Sequence, residues 1–157
     1  RKKYGEEVAL RHSLVPLTIV RLGNVYGGPK NRGIVQKAIE ALYKNQLLQT
    51  SGEDQVRDFV HVDDVVVAII ALLKLPPNRS RVVNIMTGTG TSIGNMFKML
   101  ERVSGKTLIK VVGSEGEQVN AVGNIDTLRK LTGFSPRITL HEGLKKTLHA
   151  YDRSIQK

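Results

Sequence analysis

The fold is decided by one stretch, Gln55-Val-Arg-Asp-Phe-Val-His-Val-Asp-Asp-Val-Val-Val-Ala-Ile-Ile-Ala-Leu-Leu73. Its alternating middle, residues 59–62, predicts a strand. The apolar run that follows, Val65–Leu73, predicts a helix that ends at Lys74 and the Pro76-Pro77 pair. Because this helix is apolar nearly all round, we expect it to be buried on every side. The rest of the chain is organised around this predicted strand and helix.

Charged side chains frame the predicted strand. Asp63 or Asp64 is expected to cap the helix, because a carboxylate accepts hydrogen bonds from the free amides of a first helical turn. Arg57 and Asp58 precede the strand and allow two interpretations. In the first, Arg57 holds an anion at the edge of a cleft. In the second, it only pairs with Asp58 or with another neighbouring carboxylate.

The composition indicates one domain with a sizeable core and no membrane span. Of the 157 residues, 40% are hydrophobic, and no apolar run is long enough to cross a bilayer. The absence of cysteine excludes a disulfide framework, thiolate chemistry and a zinc ribbon. No apolar leader follows the basic N-terminus, so we expect a cytoplasmic protein. The first residue is Arg1 and not methionine, and we expect the chain to have been cut from a longer one.

The net charge of +10 favours the binding of anions such as nucleic acids, phosphates and acidic lipids. Only 4% of the residues are aromatic, however, which leaves few platforms for stacking single-stranded bases. The basic residues are also scattered along the chain and not massed in one block. We interpret the charge as a solvated basic surface, or as that of a fragment separated from an acidic partner segment. A polyanion-binding module is a further hypothesis that rests on the charge alone.

Hydrophobic periodicity predicts several strands and about six helices, which indicates a mixed α/β fold. Strand 17–22 is rich in β-branched residues and does not alternate, which is typical of a parallel strand covered on both faces. Loop 23–29 follows it, and it is either a ligand site at the carboxyl end of a strand or an ordinary glycine-rich turn. The other predictions are helix 3–12, helix 33–44, a short strand from 47, strand 81–86, a helix from 93 to Gly105, strand 108–112, a short helix from Asp126 to Gly133, and a last helix with a Thr139–Glu142 capping box.

A second glycine-rich turn imitates a dinucleotide-binding loop. Gly88 and Gly90 lie between a predicted strand and a predicted helix, and Gly94 lies at the start of that helix. The third glycine is displaced by one position from G-x-G-x-x-G. No lysine follows at the position that a P-loop requires. We therefore interpret the segment as a tight turn before a helix that Thr91 or Ser92 caps.

Four stretches carry a resemblance to a known family. In order and spacing they resemble the C-terminal half of the extended short-chain dehydrogenase/reductases (SDR), in particular the NAD-dependent sugar-nucleotide epimerases and dehydratases typified by UDP-glucose 4-epimerase. The resemblance implies the C-terminal part of an extended Rossmann-type fold, with a mixed substrate-binding subdomain over residues 1–157 and the N-terminal NAD-binding part absent. The stretches are Arg21-Leu-Gly-Asn-Val-Tyr-Gly27, Gln55–Asp64, Asn84–Ser92 and Gly133–Gly143.

The resemblance implies roles for two residues near the cofactor, NAD. Lys2 lines up with the lysine of the family's Y-x-x-x-K pair, although the tyrosine lies outside this chain. This lysine is expected to hold the nicotinamide ribose and to lower the pKa of the tyrosine through its charge, which prepares a general base. Gly23 falls where the family contacts the nicotinamide end.

The resemblance also implies a binding site for a UDP-sugar or related nucleotide-sugar. Asn24 matches a donor to the substrate pyrophosphate, and Ile34 matches a contact to the nucleobase. Arg57 matches the arginine that clamps the diphosphate, a task suited to a permanently charged fork of donors. Glu117 stands where the family has an aspartate that accepts hydrogen bonds from the nucleotide ribose hydroxyls.

Other positions depart from the family pattern. Ser51 stands where an aromatic residue often packs against the base, and Ser114 where a second arginine often contacts the ribose or phosphate. Ala121 takes the place of another frequent aromatic, and Phe59 that of a tyrosine. We expect the base-and-ribose end of the pocket to differ from that of the family.

The expected function is therefore that of the substrate-binding portion of an NAD-dependent epimerase, in which hydride leaves the sugar C4 for NAD and returns. A dehydratase, decarboxylase or reductase of the same family is the first alternative, and a non-catalytic polyanion-binding module is the second. The isolated chain is expected to be inactive. The intact enzyme is expected to be a homodimer without a membrane or nucleic-acid partner.

Overall fold

The computed structural model describes residues 2–28, 31–50, 52–113 and 120–155, without the side chain of Lys2. Six helices and seven strands lie in these ranges, which confirms the mixed α/β class. The helices are α1 (Lys2–His12), α2 (Ile34–Lys44), α3 (Val62–Leu73), α4 (Ile93–Ser104), α5 (Asp126–Thr132) and α6 (Leu140–Ile155). The strands are β1 (Thr18–Leu22), β2 (Asn24–Tyr26), β3 (Leu48–Thr50), β4 (Val56–His61), β5 (Arg81–Ile85), β6 (Gly90–Ser92) and β7 (Lys110–Val112).

The strands form three small sheets. Strands β1 and β5 pair in parallel, as do β3 and β7. The third sheet has the order β2-β4-β6, with β2 parallel and β6 antiparallel to β4. Its register places Asn24 opposite Phe59 and Arg57 opposite Thr91. Strand β4 is therefore the centre of the sheet that carries the predicted site.

Strand β4 also separates two hydrophobic clusters. Phe59 packs in the first cluster, which α2, α4 and α6 build around buried residues such as Phe97 and Leu144. The next residue, Val60, packs in the second cluster with α3, β5 and α5, where Leu128 is buried. Successive side chains of a strand point to opposite faces, so one strand supplies both clusters.

Local sequence signals place the ends of two helices as predicted. The Ser92 hydroxyl caps α4 by accepting from the Asn95 amide at 3.1 Å, and Gly105 ends that helix in the left-handed conformation. The Thr139–Glu142 capping box forms at the start of α6. Strands β2 and β6, which lie where we predicted only turns, were missed.

The prediction that Asp63 or Asp64 caps α3 is wrong. The helix begins at Val62, and the cap is His61, whose Nδ1 accepts from the Asp63 amide at 3.2 Å. Asp64 is instead buried and accepts from the amides of Arg137 and Ile138. Asp63 pairs with Lys146. Both carboxylates therefore have partners elsewhere in the fold.

Two burial predictions are also wrong for the described part of the chain. Helix α3 packs with one side against β2, β4 and α5. Its other side exposes five apolar residues: Val66, Val67, Ile69, Ile70 and Leu73. Strand β1 is not covered on both faces, because Thr18, Arg21 and Leu22 are exposed. Within the described ranges, no helix is long and apolar enough to span a bilayer.

We predict that the cap of α3 is sensitive to pH. Burial lowers the pKa of His61 from its ordinary 6.5. The charge of Asp63 raises this pKa by a smaller amount, that of Lys146 lowers it further, and that of Asp64 raises it. The unfolded chain then binds a proton more readily than the folded one, so stability falls as pH drops below about 6.5. The urea midpoint is expected to be lower at pH 5.5 than at pH 7.5.

The matched control is His61→Asn, which keeps an acceptor at the cap but does not titrate in this range. Its urea midpoint is expected to change less between the two pH values than that of the wild-type chain. An equal change in both proteins would contradict the prediction.

Candidate functional site

Three of the predicted substrate-binding residues line one cleft of about 290 Å³: Asn24, Ile34 and Arg57. The remaining residues around it are Lys37, Gln49, Thr50, Gly52, Gln55 and Ile93. Two cationic side chains face this cleft, and none of the described residues that line it is acidic. A concave surface with this charge suits a phosphorylated ligand.

The sheet and one helix end bring these residues together. Asn24 begins β2, Arg57 is the second residue of β4, and Ile34 begins α2. Since Asn24 lies opposite Phe59, and side chains two apart share a face, Asn24 and Arg57 lie on the same face of the sheet. Asn31 braces the intervening loop by donating to the Val25 carbonyl at 2.7 Å and accepting from the Gly33 amide at 2.6 Å.

The Arg57 guanidinium is half-buried and oriented by its own strand. It donates to Gln55 Oε1 at 2.6 Å and to the Val56 carbonyl at 3.0 Å. These two hydrogen bonds fix the orientation of the planar group. The guanidinium therefore faces the cleft as an oriented cation.

Asp58 has its own set of partners. Its carboxylate is fully buried and accepts from the Thr87 amide at 2.7 Å, the Thr87 hydroxyl at 2.6 Å and the Gly88 amide at 2.9 Å. The Gly123 amide adds a longer contact of 3.4 Å. The amides of the turn that imitates a nucleotide loop are thus directed at a carboxylate of the chain itself, in agreement with our interpretation of a tight turn.

The other predicted residues are placed differently. Lys2 lies at the start of α1, and its side chain is outside the described part. Gly23 lies between β1 and β2, outside the lining of this cleft, and its amide donates to the Ile85 carbonyl at 3.1 Å. Glu117, Ser51 and Ser114 lie outside the described residues, so their roles stay predictions.

The described chain resumes beside Arg57. The Asn120 side chain accepts from the Val56 amide at 3.2 Å. Ala121 forms an isolated parallel bridge with Arg57, in which the Asp58 amide donates to the Ala121 carbonyl at 3.0 Å. Residues 120 and 121 therefore lie beside the strand that carries the predicted diphosphate clamp.

Sequence reasoning missed two features. Lys37 lines the cleft. Its position could have been predicted, because residues three apart on a helix, such as Ile34 and Lys37, are neighbours on one face. A second cleft, of about 330 Å³, lies between the Thr87–Thr91 segment and the Ser135–Leu140 segment, with Arg129 at its side. Within the described ranges, no three His, Asp or Glu side chains come close enough to hold a metal ion.

Comparison with known proteins shows the family of the chain. The model of the NAD dependent epimerase/dehydratase family matches residues 2–85. The chain belongs to this family. The resemblance drawn from the four sequence stretches is therefore confirmed at the level of the family.

The similarity to individual relatives is consistent with this family. A putative UDP-glucose 4-epimerase of Methanocaldococcus jannaschii is 33% identical over 158 residues, which cover 94% of this chain and 50% of the relative. MoeE5, solved with UDP-glucuronic acid and NAD, has a TM-score of 0.91 and 25% identity over 98% of this chain and 54% of its own. The UDP-glucose 4-epimerase of Thermotoga maritima, solved with UDP-glucose, has a TM-score of 0.81 and 29% identity over 98% and 51%. The chain spans about half the length of these relatives.

We predict that Gly23 admits no side chain. A Cβ at this position would lie 2.9 Å from the Asp58 carbonyl oxygen and 3.2 Å from Met86 Cγ, so strands β2 and β4 would have to separate. We expect Gly23→Ala to destabilise the chain by about 1–3 kcal/mol in urea unfolding, a range typical of overpacking.

The control is Gly28→Ala, because a Cβ there meets nothing within 4 Å. This variant is expected to stay within about 0.5 kcal/mol of wild type, as is usual for surface substitutions. Equal stabilities for the two variants would show that the close approach at Gly23 has no energetic weight.

Proposed function

We propose that this chain is the substrate-binding, C-terminal part of an NAD-dependent nucleotide-sugar epimerase. The observation that carries the proposal is the convergence of Asn24, Ile34 and Arg57 on one cleft. The resemblance assigns Asn24 and Arg57 to the diphosphate of a nucleotide-sugar and Ile34 to its base. The NAD-binding part, on this proposal, is a separate stretch of polypeptide, in keeping with the half-length match to the relatives.

The cleft offers a distinct contact for each part of the nucleotide. The Arg57 guanidinium binds the diphosphate through a charge-assisted fork, and the Asn24 amide donates to the same group. Lys37 adds a second positive charge, and Ile34 supplies an apolar contact for the base. Glu117 accepts from the ribose hydroxyls in this proposal.

The cofactor side of the reaction lies at the end of β1. NAD, when bound, accepts a hydride from the sugar C4 and returns it, and the protein contributes position and proton transfer. Gly23 fits this place because it directly follows β1, at the carboxyl end of a parallel strand, where ligands of α/β sheets bind. Lys2 holds the nicotinamide ribose and readies the tyrosine of the Y-x-x-x-K pair.

The proposal separates binding from turnover. The isolated 157 residues are expected to bind UDP-glucose in calorimetry but to show no epimerase activity and only weak affinity for NAD. Strong activity or tight NAD binding by this chain alone would contradict the division of labour. Failure to bind any UDP- or dTDP-sugar would contradict the substrate site.

A dehydratase, decarboxylase or reductase of the same family would use the same cleft. The residues that decide between these reactions lie near the sugar and not around the diphosphate. Product analysis of the full-length enzyme on UDP- and dTDP-sugars distinguishes them. For the polyanion-binding alternative, the test is random DNA, where a steep log–log dependence of affinity on salt would support it.

We also propose that the intact enzyme is a homodimer that pairs through α1. This helix leaves Tyr4, Val8 and Leu10 exposed. Replacing Tyr4 and Val8 with glutamine is expected to convert a dimer of the full-length enzyme to a monomer in sedimentation experiments.

We predict that Arg57→Gln weakens UDP binding by about tenfold to a hundredfold. A hydrogen bond to a charged group contributes about 1.5–3 kcal/mol, and 1.4 kcal/mol corresponds to a tenfold change in Kd. Calorimetric titration of UDP into the two proteins at the same ionic strength measures the difference.

Arg102→Gln is the matched control, because it removes the same charge from an exposed position on α4. Its affinity for UDP is expected to stay within about twofold of wild type if the effect is local and not a matter of net charge. Equal losses of affinity in both variants would show that UDP binding depends only on the overall charge of +10.

A further inference from the structure

We propose that Asp58 is a positioning residue for nucleotide binding: its buried carboxylate holds together the three backbone segments around Arg57. The inference rests on the proposed function, since it concerns how the same cleft is kept in shape. Asp58 does not line that cleft. Its effect is transmitted through the backbone of its neighbours.

The first step is that the carboxylate joins segments far apart in sequence. One oxygen, Oδ1, accepts from the amide and the hydroxyl of Thr87. The other, Oδ2, accepts from the amides of Gly88 and Gly123. A carboxylate has only acceptors, so it can serve four donors at once, which an amide side chain cannot do.

The second step is that these segments flank Arg57. The Thr87–Gly88 turn leads into β6, in which Thr91 lies opposite Arg57. Gly123 follows Ala121, which bridges to Arg57 from the β2 side of β4. Both backbone neighbours of the proposed clamp are therefore anchored at one carboxylate.

The third step is that the packing leaves little freedom to compensate. A Cβ at Gly123 would overlap the side chain of Met86, so the backbone of this segment lies directly against its neighbour. Asp58 itself has no exposed surface, so water cannot replace its bonds without opening the structure. Loss of the carboxylate is expected to shift the strands on both sides of Arg57.

Asp64 provides a matched control. It is also buried, also belongs to the central stretch, and also accepts from two backbone amides, those of Arg137 and Ile138. None of these three residues lines the cleft that contains Arg57. Asp58→Asn and Asp64→Asn therefore make the same chemical change with comparable burial, but only the first acts on the neighbours of Arg57.

The experiment compares the two variants at a temperature where circular dichroism shows both to be fully folded. We expect Asp58→Asn to weaken UDP binding at least tenfold, while Asp64→Asn stays within about twofold. In the full-length enzyme, Asp58→Asn is expected to raise KM for UDP-glucose with little change in kcat, because diphosphate contacts stabilise ground and transition states alike. Equal losses of affinity in both variants, or no loss in either, would overturn the proposal.

A milder variant covers the case in which Asp58→Asn does not fold. Thr87→Val removes the 2.6 Å hydroxyl bond to Asp58, together with the bonds of that hydroxyl to the Thr89 backbone, and keeps the amide bond to Asp58. It is expected to weaken UDP binding by only about twofold to fivefold, because Asp58 keeps its three backbone-amide donors. An unchanged affinity in this variant would count against the proposal.

Amide chemical shifts give a readout that needs no ligand. The signals of Arg57 and Ala121 are expected to move in Asp58→Asn and Thr87→Val and to stay in place in Asp64→Asn. If the wild-type chain bound no UDP, the proposed function would fail, and the positioning would be judged on these signals alone. Unmoved signals in Asp58→Asn would overturn it.

Discussion

The alternation of side chains along β4 is the constraint on which the rest of the structure depends. Arg57 and Phe59 point to one face, towards the candidate cleft and the first hydrophobic cluster. Asp58 and Val60 point to the other, towards the Thr87 turn and the second cluster. A shift of one residue in register would exchange the two sets. It would bury a guanidinium among apolar side chains and leave two backbone turns without their acceptor.

The polar residues of the central stretch connect segments that the hydrophobic clusters alone would not align. Apolar packing is non-directional, so it determines which surfaces meet but not their register. Hydrogen bonds from backbone amides to Asp58 and Asp64 are directional, and each joins segments at least 29 residues apart in sequence. A buried carboxylate without partners would cost several kcal/mol, which penalises any alternative arrangement of these turns.

What the sequence could predict follows from the range of the interactions. Ser92, Gly105 and the Thr139–Glu142 box act within a few residues, so the helix ends they set were predicted correctly. The cap of α3 was predicted wrongly because the carboxylates of Asp63 and Asp64 bind partners that are distant in sequence, namely Lys146 and the Arg137 segment. The cap is therefore His61, which accepts through its unprotonated Nδ1. The prediction that α3 is buried on every side failed for a different reason. A pattern of apolar residues does not specify which elements pack against each side of a helix. That Asn24 and Arg57 would share one site was predicted from the family resemblance and not from hydrophobic periodicity.

On the proposed function, the position of the cleft explains why one binding half can serve several reactions. The described residues that line it are suited to the diphosphate and the base, which are remote from the reacting carbon of a sugar. Contacts remote from the chemistry fix the orientation of the substrate, and they raise kcat only when they tighten in the transition state. Groups near the sugar C4 must then decide between epimerisation, dehydration and decarboxylation. In this view Arg57 and its supports determine which class of molecule enters, while the polypeptide that carries the Y-x-x-x-K tyrosine determines what happens to it.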